Sequence, residues 1–285
     1  MPRLSVLLPV KDGAATIRSA VRSTLRALPR DAELLVIDDG STDGTAEVLD
    51  TIRDRRLRVL RHEQAQGVAA SLNHGLESTQ SALVGRMDAD DLSLPWRFRV
   101  QLPALRSADL VFGSMVLIDA ASRPVGLSTP IAVGPVTAAL HLLFENPFAH
   151  PTMVGRREAL TEPGGYRATK VEDYDLWLRA AGQGFRLRKL RTPVLAYRRH
   201  AGQVTQSWVA GAPDPVLDES FRAALPDQLQ QYTSSLRAAA VARVRTGELA
   251  AGWPQLREHL AEELSTLPEH ERSALLRRIR AASAR

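Results

Sequence analysis

The sequence predicts an α/β fold, a mixed Rossmann-like sheet flanked by helices. Three observations carry that expectation. Short apolar runs alternate with helix-period segments over residues 4–106, the pattern of a parallel sheet covered on both faces. Three of those runs end in acid-bearing clusters, namely Pro9-Val10-Lys11-Asp12, Asp38-Asp39-Gly40-Ser41 and Asp88-Ala89-Asp90-Asp91. The chain of 285 residues is 44% hydrophobic with no cysteine, so it must bury its core without cross-links.

The elements follow in order. Residues 4–9 form a buried-strand run. Ile17, Val21, Thr24, Leu25 and Leu28 then recur at helical spacing. Residues 33–38 are a second strand. Gly40-Ser41-Thr42-Asp43-Gly44 is a turn with N-cap chemistry for a helix over 45–53. Residues 57–60, 68–78 and 82–87 read as strand, helix and strand. Pro95 suits the first position of a helix running to Arg106. Further on, 109–118, 147–154, 185–190 and 194–199 are expected strands and 173–183 a helix. Residues 119–135, with Pro124, Gly126, Pro130, Gly134 and Pro135, read as a loop. Residues 201–213 read as a second, mobile loop. From Asp214 onward Ala, Leu, Arg and Glu dominate. The expected division is therefore a catalytic domain over 1–213 and a helical extension over 214–285.

In a parallel sheet the loops beyond the strands' carboxyl ends share one rim, where ligands bind. Folding alone does not require acids in three such loops. In Asp88-Ala89-Asp90-Asp91 neighbouring carboxylates repel unless a cation sits among them. Mg²⁺ takes oxygen ligands and binds through one or two carboxylates plus substrate phosphates. A metal-nucleotide site is the sharper reading of this stretch, and a solvated acidic turn the plainer one.

Composition narrows the partners. The 37 Lys+Arg against 32 Asp+Glu leave a net charge of +5, which suits an anionic ligand such as a nucleotide diphosphate. Aromatics are 5% and no basic run is interleaved with them, which argues against nucleic acid. No apolar run approaches the ~18 residues of a membrane span, and no leader precedes the first strand. The expected location is the cytoplasm, with the inner membrane face as a candidate contact. Arg277-Arg278-Ile279-Arg280 reads as a solvated helix end, with contact to anionic lipid as the alternative. The C-terminal helices are candidates for homodimerisation.

In this order the motifs resemble those of family 2 inverting glycosyltransferases, which have the GT-A fold. The resemblance rests on Ser5-Val6-Leu7-Leu8-Pro9-Val10, the run from Val36 to Gly44, and Arg86-Met87-Asp88-Ala89-Asp90-Asp91. It extends through His150-Pro151-Thr152, Gly164-Gly165-Tyr166, Glu172-Asp173-Tyr174-Asp175-Leu176-Trp177-Leu178 and Tyr197-Arg198-Arg199-His200. The resemblance implies a nucleotide-sugar donor, a UDP-sugar above all, and a saccharide or lipid-linked saccharide acceptor. It implies that Pro9, Val10 and Asp12 line the nucleoside pocket and that Asp39 bonds the base. It places Asp88, Ala89 and Asp90 along the nucleotide-sugar, with Asp88 and Asp90 on Mg²⁺ or Mn²⁺. It makes Asp173 the general base, with His150, Glu172 and His200 as candidate acceptor or diphosphate contacts. Position 12, where the family carries a longer or amide side chain, is Asp here. Gln64-Ala65-Gln66-Gly67 stands where Asn-x-Gly is common and receives no ribose assignment.

Plainer readings accompany these. Asp38 is assigned to structure, Trp177 to core packing and His150 to a satisfied buried histidine or an acceptor-side group. Arg198 and Arg199 fit either a phosphate contact or the outer face of an edge strand. Two other functions remain in play: a sugar-phosphate nucleotidyltransferase and a non-catalytic nucleotide-sugar-binding module. The first carries a Gly-rich basic loop after its first strand, whereas Lys11-Asp12-Gly13-Ala14-Ala15 has a single glycine.

Overall fold

The computed structural model describes residues 2–128, 131–135, 137–142, 146–199, 219–220 and 269. The strands are β1 (Leu4–Val10), β2 (Ala32–Asp38), β3 (Leu57–Arg61), β4 (Leu83–Arg86), β5 (Leu92–Ser93), β6 (Leu110–Ile118), β7 (Pro124–Leu127), β8 (Val154–Arg156) and β9 (Leu187–Arg198). The helices are α1 (Ile17–Ala27), α2 (Thr45–Asp50), α3 (Val68–Glu77), α4 (Arg97–Ala104), α5 (Ala138–Leu142), α6 (Glu158–Thr161) and α7 (Glu172–Gly182).

The strands join in one mixed sheet of order β3-β2-β1-β4-β8-β6-β9-β5, with β7 paired to β6. β3, β2, β1 and β4 run parallel, β8 runs against β4 and β6, and β6 is parallel to β9. The period of two along β1 explains the layering. Leu4, Val6, Leu8 and Val10 face a core closed by Ile17, Ala20 and Val21 of α1, Leu49 of α2 and Phe98 of α4. Leu7 faces the other core, closed by Leu72 of α3, Leu160 of α6 and Leu176 and Trp177 of α7. Trp177 is fully buried, edge-on to Phe112 with ring centroids 5.0 Å apart, as the core reading expects.

Several boundaries depart from the sequence expectation. The stretch expected as a strand over 147–154 is a 3₁₀ turn, His150–Thr152, followed by β8. Pro151 sits inside that turn, and proline supplies no ladder N–H. The two strands expected at 185–190 and 194–199 are one strand, β9, of 12 residues. Pro193 interrupts the sequence pattern but falls at a register irregularity opposite Ser114, where a proline is tolerated. Pro95 precedes α4 and is not its first residue. The expected loop over 119–135 contains β7, whose Val125 and Leu127 are exposed. Most of the helical extension expected from Asp214, and the loop over 201–213, lie outside the described residues.

Two described residues from that region meet the sheet domain. Ser220 Oγ donates to Asp175 Oδ1 of α7 at 2.5 Å, and Glu219 lies 3.7 Å from Arg167. Asp175 is fully buried and also pairs with Arg179 at 2.6 Å.

The sheet is packed tightly enough to test. A Cβ at Gly155 in β8 would stand 2.3 Å from Leu110 Cδ2 and 2.8 Å from the Asp109 carbonyl oxygen. Backbone oxygen cannot swing aside, so Gly155→Ala should cost about 1–3 kcal/mol through overpacking. The urea midpoint should fall accordingly. Gly126→Ala, where the nearest atom is 3.8 Å away, should lack that clash and leave the midpoint close to wild type.

Candidate active site

The carboxyl ends of β1, β2 and β4 meet at one rim. β1 pairs with β2 on one side and β4 on the other, so their following loops are neighbours. The first two loops are stitched together. Asp12 Oδ1 accepts from the Thr42 backbone N–H at 2.7 Å, and the Asp12 N–H donates to Ser41 Oγ at 2.9 Å. The Ala14 N–H donates to Asp43 Oδ2 at 2.9 Å and the Gly13 N–H to Thr45 Oγ1 at 2.9 Å. Asp12 adopts φ 51°, a left-handed conformation that Asp tolerates better than most residues. One oxygen of Asp12 is thus engaged in joining the loops, while its side chain remains partly exposed.

Asp38 and Asp39 divide their work. Asp38 Oδ1 accepts from the Ser41 N–H at 3.0 Å and closes its own turn, as the structural reading of Asp38 expects. Asp39 is buried, and its N–H donates to the Val10 carbonyl at 2.8 Å. Its carboxylate accepts from the Gln66 N–H at 2.9 Å and the Gly67 N–H at 2.8 Å, and meets His62 Nδ1 at 2.8 Å. Burial alone would raise its pKa. The Gln66 N–H, the His62 ring and the Gly67 N–H together hold it below the usual carboxylate value. His62 Nε2 lies 2.7 Å from His74 Nδ1 of α3. The Asp39 carboxylate accepts, so His62 Nδ1 carries the donated hydrogen, and the His62 and His74 rings stack with centroids 5.0 Å apart. His62 was not singled out in the sequence, since a lone His after an edge strand has no distinguishing spacing.

The acidic loop follows β4. One ligand oxygen from each of Asp88, Asp90 and Asp91 lies within 4.8 Å of the other two. Asp88 bonds Arg86 Nη1. Asp91 is fully buried, its Oδ1 accepts from the Arg198 N–H at 2.8 Å, and its Oδ2 has no hydrogen-bond partner. Burial, with the charges of Asp88 and Asp90 beside it, pushes the Asp91 carboxyl up to about 9. An all-oxygen set with one orphaned carboxylate oxygen fits a hard divalent cation. Asp91 is the residue that the Asp-x-Asp pattern passed over; its signal was the third adjacent acid. Ala89 lies between the ligand candidates and packs against the α1-side core. The charge of this region has a further neighbour in Arg97, fully buried and pulled down to about 9 by that burial. Arg97 Nη2 donates to the Arg86 carbonyl at 2.6 Å.

The first turn of α7 carries a second acidic group, Glu172 and Asp173. Asp173 Oδ2 accepts from Asn146 Nδ2 at 3.0 Å and Oδ1 from the Tyr174 N–H at 2.7 Å. Burial pushes its carboxyl above the usual value. For Glu172 burial acts the same way, but His150 beside it holds the carboxyl below normal. His150 Nδ1 lies 3.6 Å from Glu172 Oε1, and His150 Nε2 lies 3.0 Å from the Tyr166 hydroxyl. The structure therefore places His150 buried, as one expectation had it, and gives it Glu172 as a neighbour. Asn146 was missed, because nothing in its local sequence marks it. His200 lies outside the described residues.

Comparison with known proteins identifies the family and the fold. The family model "Glycosyl transferase family 2" matches residues 5–164. EpsE of Bacillus subtilis (strain 168), which carries the name of a glycosyltransferase, is 30% identical over 217 residues, covering 70% of this chain and 77% of its own. WfaP of Escherichia coli, named a UDP-Glc:alpha-D-GlcNAc-diphosphoundecaprenol beta-1,3-glucosyltransferase, is 25% identical over 207 residues, covering 72% and 80%. The crystal structure of S. aureus TarS 1-349 in complex with UDP-GlcNAc superposes with a TM-score of 0.67 at 20% identity, over 99% of this chain and 88% of that one. The chain belongs to glycosyltransferase family 2, and its mixed sheet with flanking helices is the GT-A fold. It is a nucleotide-sugar-dependent glycosyltransferase, which sets aside the nucleotidyltransferase and the non-catalytic module.

The Asp39 cluster makes a direct prediction. Asp39→Asn would turn amide hydrogens toward the Gln66 and Gly67 N–H donors or leave one donor unmet. A loss of about 1–3 kcal/mol in chemical denaturation is expected, with faster amide exchange at Gln66 and Gly67. Unchanged midpoint and protection would refute the role assigned to this carboxylate.

Proposed function

We propose that the chain transfers a sugar from a UDP-sugar to a hydroxyl of a saccharide or lipid-linked saccharide, with inversion and with a divalent cation. The observation that carries the proposal is the grouping of Asp88, Asp90 and Asp91 on the rim shared with Asp12 and Asp39. WfaP's named substrates and the UDP-GlcNAc in the TarS complex support the donor and acceptor classes. No helix among the described residues is long and apolar enough to cross a membrane, so a lipid-linked acceptor would be met at a membrane surface. We assign catalysis to residues 1–213.

In this scheme Pro9, Val10, Asp12 and Asp39 form the nucleoside end. The bonds from Asp39 to the 62–67 segment hold its carboxylate in place, and we assign that carboxylate to the base. Asp88, Asp90 and Asp91 would hold Mg²⁺ or Mn²⁺. When bound, that ion supplies neutralisation of the charge that builds on the departing diphosphate. Asp173 takes the proton of the acceptor hydroxyl as it attacks opposite the leaving group. Asn146 and the Tyr174 N–H orient the Asp173 carboxylate. Only one carboxylate is needed beside the acceptor, in contrast to the paired acids of glycoside hydrolysis. Glu172, held anionic by His150, is the ionised neighbour that favours a protonated Asp173 and so raises its basicity.

Two experiments test the proposal. In a thermal-shift panel, UDP with Mn²⁺ at a hundred times its Kd should stabilise by about 2.7 kcal/mol. Asp90→Ala should abolish the Mn²⁺-dependent part of the shift. No shift with any nucleotide and metal would sink the proposal. In transfer assays, Asp173→Asn should lower kcat by about 10²–10⁴-fold with UDP binding retained. Asp173 works only as the carboxylate and its pKa is raised. Activity should therefore fall as pH drops through a limb lying above the ordinary aspartate value of about 3.9.

A further inference from the structure

Arg198, the last residue of β9, is 6% exposed and turns inward. That burial corrects the reading of Arg198 as an outer-face residue of an edge strand. Its backbone N–H donates to Asp91 Oδ1 at 2.8 Å and its Nε to the Asp90 carbonyl at 2.8 Å. Its Nη1 donates to the carbonyls of Asp119, at 3.1 Å, and Ala120, at 2.9 Å, in the turn after β6. One side chain thus joins the acidic loop to the β6–β7 hairpin. The pairing of Leu92 with Ala196 and Ser93 with Leu195 brings the same loop alongside β9.

We propose that Arg198 is a positioning residue for the cation-binding carboxylates, acting through Asp91 and the Asp90 backbone; this rests on the metal-nucleotide function proposed above. Three mutually repelling acids would spread their loop. The Arg198 N–H fixes Asp91, and the guanidinium fixes the Asp90 peptide through its carbonyl. A guanidinium is a rigid planar fork that can bond two backbone segments at once, whereas an ammonium is a flexible point charge. Arg198→Lys keeps the charge and the backbone N–H but loses the fork. The loop then keeps its ties at Asp88 and Asp91 but loses the guanidinium bond to the Asp90 peptide, and Asp90 no longer starts in its binding position.

The test is a titration of free Mn²⁺ by its EPR signal, with saturating UDP, for wild type and Arg198→Lys. Groups that orient metal ligands typically account for 10–100-fold in affinity, so the Mn²⁺ half-saturation should rise by at least about 10-fold. UDP-sugar hydrolysis by the variant should be restored by excess Mn²⁺. Should Arg198→Lys fail to fold, Arg198→Gln, with a single amide donor toward Asp90, is read by the same titration. A variant with a lowered melting temperature and wild-type Mn²⁺ half-saturation would reduce Arg198 to a stabilising residue and overturn the proposal. Absence of UDP-dependent Mn²⁺ binding in the wild type would instead overturn the metal-nucleotide function itself, and this inference with it.

Discussion

Repulsion among three carboxylates is the constraint around which this structure is arranged. With ligand oxygens of Asp88, Asp90 and Asp91 within 4.8 Å of one another, the loop after β4 would open if nothing opposed it. The opposing groups come from separate places in the chain: Arg86 bonds Asp88, Arg198 bonds Asp91 and the Asp90 peptide, and Arg97 lies buried beneath. Burial first, and then repulsion from Asp88 and Asp90, pushes the Asp91 carboxyl up to about 9. A proton relieves that repulsion, and so would a cation. β9 runs from Leu187 in the α7-side core to Arg198 beside the acidic loop.

The same principle is applied differently on α7. Glu172 and Asp173 are adjacent, yet their carboxyls are moved in opposite directions. His150 holds one ionised while burial presses the other toward its neutral form. Neighbouring acids with diverging pKa values are how one site assigns distinct roles to chemically similar groups. His150 is itself fixed by the Tyr166 hydroxyl at 3.0 Å, and Asn73 bonds the Tyr166 backbone at both its N–H and its carbonyl. The partner of Glu172, the ionised neighbour of the proposed base, is therefore held through the 3₁₀ turn, the loop carrying Tyr166 and α3.

The strand–helix alternation over the first hundred residues was legible because its periods of two and 3.6 are local properties. So were the acid-bearing strand ends, since a parallel sheet sends such loops to one rim whatever the details. What the sequence concealed was decided by partners distant in the chain. Pro193 read as a break between strands; the irregular register against β6 lets β9 run through it. His62 and Asn146 carry no local pattern, and the bonds of Arg198 do not follow from the Tyr197-Arg198-Arg199-His200 run; each acquires its role from a group at least 23 residues away, as with His62 and Asp39. Asp91 was in plain view beside Asp88 and Asp90, but only its complete burial and unmatched oxygen separate it from an ordinary loop acid.

Ser220 carries a practical consequence. Its hydroxyl reaches Asp175, a carboxylate with no solvent exposure on the helix that begins with Glu172 and Asp173. A truncated form ending before residue 219 would strip one acceptor oxygen of its donor, two positions from the proposed base. Trimming the C-terminal region to ease expression or crystallisation would thus disturb catalysis from the back of the helix, with every residue lining the rim still in place.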